Sequence, residues 1–219
     1  MALPTYLELV NDILIRMREP EVTTVQENVL SKLIGKLVND AKRQVEDAYN
    51  WSALTSTKTT TTTAATSSYS IVGSGSRFKV IDGYNTTSLT EMKPTTFEDM
   101  NREVYSVSSV STGSPDSYVF KGIDSNGDSK ATLFPVPDAA YTIVWNLYIP
   151  QTSLSDNNDT LLVPSEPVIL GAFARALVER GEDGGLNSSE AYGLYRSSLA
   201  DAIAIESSRY IGEDAWEAV

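Results

Sequence analysis

The sequence contains neither cysteine nor histidine. Without cysteine there is no disulfide framework, no thiolate zinc site and no thiol nucleophile. Without histidine there is no Ser-His-Asp triad, no imidazole-ligated metal and no imidazole base near neutral pH. Basic residues are also scarce, 17 against 29 acidic, for a formal net charge of −12. No basic cluster is longer than Lys42-Arg43, whereas nucleic-acid readers gather Lys and Arg on one face. Long apolar runs are missing too: none reaches the roughly 18 residues that span a bilayer. The first residues lack the basic and apolar regions of a secretory signal, so the expectation is a soluble protein made in a cytoplasm or assembled there.

What remains is ample for folding. The chain has 219 residues, 41% of them hydrophobic, enough to bury a core in one or two domains. The acid excess is uneven. Residues 1–51 and 52–150 each carry a net −2, while residues 151–219 hold 4 basic and 12 acidic side chains, net −8. Such a segment is a solvated helical surface, or a face turned toward something that must not adhere.

Residues 1–54 read as two helices. Thr5 and Glu8 have capping-box spacing, and Leu7, Val10, Leu14 and Met17 repeat at helical intervals until Glu19-Pro20. A second helix is expected to start at Thr23-Thr24, with Gln26 and Glu27 completing its cap. It carries the apolar stripe Leu30, Leu33, Ile34, Leu37, Val38, Ala41, Val45 and Ala48 and ends near Trp51.

Residues 55–150 read as a small antiparallel sheet or barrel. The Thr/Ser-rich stretch 55–70 suits an exposed strand or a loop. Tyr69–Val72, Gly73–Ser76 and Arg77–Ile81 suggest strand, tight glycine turn and strand. Pro94–Met100 suggests a short capped helix. Tyr118–Phe120 and Ala131–Phe134 flank the turn-forming Asp124-Ser125-Asn126-Gly127-Asp128, and Tyr141, Ile143, Trp145 and Leu147 share one face of a later strand. In residues 151–219 helices return. One is capped by Ser165, apolar all round, and stopped by Gly181 and Gly184-Gly185. The other, starting at Asn187-Ser188, has the stripe Ala191, Leu194, Tyr195, Leu199 and Ala202. The fold class is α+β: a helical bundle from N- and C-terminal helix pairs with a central small β domain, because neither pair alone covers its apolar faces.

Candidate chemistry is thin. Asp124–Asp128 has alternating oxygen ligands like a calcium loop, but Ser129 stands where the loop glycine belongs and Pro135 where the glutamate belongs. The carboxylate pairs Glu98/Asp99 and Glu182/Asp183 have glycosidase residue types in solvated, turn-like contexts. Gly73–Arg77 lacks the Gly-Lys-Ser/Thr ending of a phosphate loop. The expectation is no catalysis, no cofactor and no metal. Near the C-terminus Tyr210, Ile211, Trp216 and Val219 are spaced among acids, like apolar anchors for a partner's grooves.

One larger pattern stands out: Leu7-Glu8-Leu9-Val10-Asn11-Asp12-Ile13-Leu14, then Glu19-Pro20, then Val22-Thr23-Thr24-Val25, a long helix and Tyr49-Asn50-Trp51. With Leu133-Phe134-Pro135, Pro137-Asp138-Ala139 and the Tyr-rich strand 141–148, it resembles the podovirus head-to-tail adaptor family, the tail tubular protein A family. The resemblance implies a ring of about twelve subunits. It also implies a portal protein on one side, a tail nozzle protein on the other, double-stranded DNA passing without sequence-specific binding, and no membrane. In this frame Tyr210, Ile211, Trp216 and Val219 are expected to reach the portal. Competing readings are a head-completion stopper or tail-terminator ring, and a virion-carried cell-wall glycosidase.

Overall fold

The structure is a computed structural model, described here for residues 3–181 and 186–209. Among these residues are five α-helices: α1 (Tyr6–Arg16), α2 (Val29–Ala48), α3 (Phe97–Tyr105), α4 (Ser165–Arg180) and α5 (Leu186–Ser207). With strands in mostly antiparallel sheets, the fold is α+β. The chain divides into two compact units: residues 1–54 with 151–219, and residues 55–150.

In the helical unit, α1 starts where its orphan donors are met. The Thr5 hydroxyl accepts from Glu8 N at 3.3 Å and the Glu8 carboxylate accepts from Thr5 N at 2.7 Å, the expected capping box. Tyr6 N donates to Asp159 O and Leu7 N to Asn157 O, so the segment around residue 159 completes the helix end. Tyr6, Leu9, Val10, Ile13 and Leu14 are buried. The start of α2 differs from expectation. Thr23 N and its hydroxyl both donate to the Glu27 carboxylate, closing a separate turn, and the helix begins later with Asn28 and Ser31 as its capping box. From there Ile34, Leu37, Val38, Ala41 and Val45 are buried while Lys32, Lys36, Asp40, Arg43 and Asp47 face out. Helix α4 is buried from Pro167 through Ala172 and ends at Gly181, whose positive φ of 64° is the left-handed cap glycine allows. Its first turn has no side-chain cap: Pro164 occupies the N-cap and Ser165, expected as the cap, is already helical.

These helices share one core, joining Ile13, Ile34, Val45, Trp51, Leu161, Val168, Ala172 and Tyr195. Helix contact is close at two glycines. A Cβ on Gly35 would lie 2.3 Å from the Tyr6 hydroxyl, and one on Gly171 would lie 3.1 Å from the Tyr195 ring.

Polar anchors fix the irregular chain against this core. Asn11 donates to Val22 O and accepts from Val22 N, both at 3.0 Å. Lys42 and Glu46, one turn apart on α2, form a buried ion pair at 2.9 Å. Lys42 Nζ also donates to Gln151 O at 2.8 Å and Thr152 O at 3.1 Å, and Glu46 Oε1 accepts from Gln151 N at 3.1 Å. The pair therefore grips the backbone where it rejoins the helices. Burying two charges is costly, and these extra hydrogen bonds offset the lost hydration.

The β unit contains β1 (Thr55–Thr61), β2 (Ser68–Ser70), β3 (Lys79–Asn85), β4 (Thr90–Glu91), β5 (Lys93–Pro94), β6 (Thr112–Gly113), β7 (Ser117–Ile123), β8 (Ser129–Phe134), β9 (Val136–Pro137) and β10 (Thr142–Tyr148). They form two four-stranded sheets, ordered β1-β10-β3-β4 and β2-β8-β7-β5, and a short parallel β6-β9 pair. Ile143, Trp145 and Leu147 from one sheet meet Tyr118, Ala131 and Leu133 from the other in a single core. The Tyr118 and Trp145 rings pack edge to face with centroids 4.9 Å apart. The Thr-rich stretch forms edge strand β1, where the Thr60 hydroxyl accepts from Trp145 Nε1 at 3.2 Å. The expected hairpin across Gly73–Ser76 does not form: β2 pairs with β8 and β3 with β10, so the turn carries the chain from one sheet to the other. The Asp128 carboxylate holds that turn by accepting from Gly73 N and Gly75 N, each at 2.9 Å.

Candidate interaction surface

Helix α5 leans on α4 through Ala191 and Tyr195, which are buried, and Leu199 and Ala202, which are half-buried. Leu194 was expected in the same stripe and is instead 61% exposed. The spacing 191, 195, 199, 202 tracks one face, and Leu194 sits one residue, about 100° of helix turn, away from Tyr195. That rotation leaves Leu194 and the 62%-exposed Ile205 on the wall of a groove of about 670 Å³ between the start of α4 and the outer side of α5. Leu170, Pro167 and Ala202 make its floor, and Ser197 and Ser198 line it between the two apolar positions.

Charge surrounds this apolar strip. Arg16, Glu166, Asp201, Glu206 and Arg209 line the groove. Glu206 is fully engaged: it accepts from Ser52 N at 2.7 Å and pairs with Arg209 at 3.0 Å. Burial pushes its pKa up, but the Ser52 contacts and then Arg209 outweigh it, leaving the carboxyl below its usual range. Glu166 and Asp201 are exposed acids at the rim, and Glu166 lies in the first turn of α4, where negative charge suits the helix dipole. An apolar floor within a charged rim suits a protein side chain.

The other candidates from the sequence are accounted for locally. Asp99 accepts from the Thr96 hydroxyl at 2.7 Å and pairs with Arg102 at 3.3 Å, so Glu98/Asp99 open α3. Glu182 and Asp183 lie outside the described residues. Asp124 accepts from Asn126 N at 2.8 Å and Asp128 N at 3.0 Å; with Asp128 on the glycine turn, these carboxylates serve backbone donors. Among the described residues no group of three or more Asp or Glu could hold a metal ion, and no helix is long and apolar enough to cross a membrane. The β unit has a smaller hollow of about 320 Å³ under α3, where Lys121 lies 5.0 Å from the centre of the Phe97 ring. Tyr210, Ile211, Trp216 and Val219, expected to bind the portal, lie outside the described residues.

Sequence reasoning missed the groove itself. Its one visible signal was the mismatch between Leu194 and the remaining stripe of α5.

The SU10 adaptor protein family matches residues 4–215, nearly the whole chain and both units. The chain belongs to this family. It is a phage structural adaptor family, a virion component of non-enzymatic kind that engages other head and tail proteins. No curated protein matches the sequence. Within the family motif resemblance, Asn11 is the clamp on Val22 and Glu19 the ion-pair partner of Arg180 on α4, so the "Asn…Glu-Pro…Val" residues hold the α1–α2 connection to the bundle.

Proposed function

We propose that this chain is a head-to-tail adaptor of a short-tailed phage, forming a ring of about twelve copies between the portal and the tail nozzle. DNA passes through the ring, and Tyr210, Ile211, Trp216 and Val219 contact the portal. The observation that carries this reading is the adaptor-family match over residues 4–215. Two features support it. The helical unit holds 10 basic and 20 acidic residues, net −10, which repels a duplex rather than gripping it. The α4–α5 groove exposes Leu194 and Ile205, as a subunit contact requires. Mass measurement of the chain alone and mixed with portal rings of the same phage tests the reading. A ring on the portal is the expected result, and a chain that stays solitary beside portal and nozzle alike overturns it.

A further inference from the structure

We infer that the outer edge of β1 is extended by residues 107–110 of a second copy of this chain, an inference that rests on the ring reading and adds a contact to it. Strand β1 stands at the end of its sheet, in the order β1-β10-β3-β4. It pairs with β10 over seven residues, Thr55–Thr61, without a bulge. Thr62 N donates to Tyr141 O, and bonded residues alternate along an antiparallel ladder. Ser56, Lys58 and Thr60 therefore turn their main-chain groups to β10, while Thr55, Thr57, Thr59 and Thr61 turn theirs outward. The other ends of the two four-stranded sheets are short. β4 and β5 have two residues each and include Glu91, Lys93 and Pro94, and β2 has three. Shortness, charge and proline are the usual defences of a sheet edge, and Lys58 is the one such defence on β1.

An open ladder accepts one chemistry, a polypeptide segment whose own main-chain groups are free. Lys58 narrows the choice. Centred antiparallel pairing of β1 with a second β1 would bond all four outward residues, but it sets Lys58 directly opposite Lys58, and like charges so placed oppose the pair. The segment after α3 meets the demand instead. Ser106 N still closes the helix on Arg102 O, and Ser111 O accepts from Val136 N, but residues 107–110 have no main-chain hydrogen bond among the described residues. Val107-Ser108-Ser109-Val110 is uncharged, free of glycine and proline, and exposed except at the half-buried Val110. Only Ser111 separates it from β6, so pairing would lengthen a strand already begun. It brings no charge toward Lys58. Each copy thus carries both an open edge and an unpaired segment. The contact joins two different surfaces, and its repetition closes a ring when the rotation between copies closes.

Proline tests the edge without breaking the ladder. Thr57→Pro/Thr59→Pro removes two outward N–H donors and leaves the bonds to β10, with circular dichroism and melting to check the fold. It should raise the concentration for half-assembly on portal rings by about tenfold, through the loss of two main-chain hydrogen bonds. The absence of cysteine allows a second readout that needs no proline. Chains with Thr59→Cys and chains with Ser109→Cys are mixed on portal rings and treated with a short bis-maleimide. A mixed dimer in clear excess over either homodimer is expected, and a chain carrying both substitutions should give a ladder of linked copies. An excess of Thr59→Cys homodimers would show the edge pairing with itself, and a link inside one doubly substituted chain would show the segment on its own edge; either result overturns the inference. Rings that tolerate both prolines and give no mixed link overturn the contact and leave the ring reading standing. Failure of the unsubstituted chain to assemble with the portal overturns both.

Discussion

Asn39 on α2 binds the backbone of Leu154 as a neighbouring strand would: its Nδ2 donates to Leu154 O at 3.0 Å, and Leu154 N donates to its Oδ1 at 2.8 Å. Leu154 is buried and has no helix or strand partner of its own, so the amide supplies both of its main-chain bonds. Asn39→Ala should leave two buried backbone groups unpaired and cost about 1–3 kcal/mol, read as a lower midpoint in urea unfolding. Asn39→Asp restores only the acceptor and should fall between the two. Equal stability for all three chains would show that the clamp contributes nothing.

Lys42 and Glu46 give an asymmetric prediction. Removing Lys42 alone, as Lys42→Met, leaves Glu46 buried beside its already unpartnered Oε2, at a cost of about 3–5 kcal/mol. Replacing both, as Lys42→Met/Glu46→Leu, removes the stranded charge and should regain much of that loss. The double variant should nevertheless hold residues 151–152 less firmly, which hydrogen exchange of those amides would report.

Acid should loosen the helical unit. Asp159 accepts from Ser155 N at 2.7 Å and Asp156 N at 2.8 Å, and these bonds hold its pKa below the ordinary value, as do the Ser52 contacts of Glu206 against the upward push of burial. A depressed folded pKa means stabilisation that is complete above the unfolded value, about 4, and is lost as pH falls through the folded one. Thermal midpoints should therefore drop between about pH 5 and pH 3. Asp159→Asn should be less stable at neutral pH and show a shallower acid slope; an unchanged slope would separate this carboxylate from the acid transition.

Deleting residues 210–219 should abolish portal binding and leave the far-ultraviolet dichroism and melting of the remaining chain intact. Unchanged portal affinity would remove Tyr210, Ile211, Trp216 and Val219 from the contact.

Most of the local grammar was legible, the expected Ser165 cap being an exception. The Thr5–Glu8 box, the Ile143–Trp145–Leu147 alternation, the Asp124–Asp128 turn and the Gly181 stop each depend on residues within a few positions, and each is present. What escaped depends on distant partners. Thr23 and Glu27 have cap-like spacing, but Val25 N donates to Asn157, 132 residues away, and the helix waits until Asn28. Strands β2 and β3 are adjacent in sequence yet find β8 and β10, and the chain between them is held by Asp128, more than fifty residues away. Lys42 and Glu46 look like any surface pair at helical spacing; only the return of the backbone at Gln151 buries them. Leu194 belonged to an apolar stripe by composition and escaped it by angle. Of the groove lining, Leu194 and Ala202 were visible beforehand only as part of a core stripe, and the family motif residues Asn11, Glu19 and Val22 lie outside the groove as anchors of the scaffold.

The β1–β10 pairing sets Thr55 directly opposite Tyr148, so the β unit begins and finishes on adjacent strands. Such a module behaves as a removable cassette: a linker of a few residues could bridge the gap it leaves, and a foreign sheet with equally close ends could be spliced in. Evolution can thus exchange whatever the cassette touches without redesigning the host bundle.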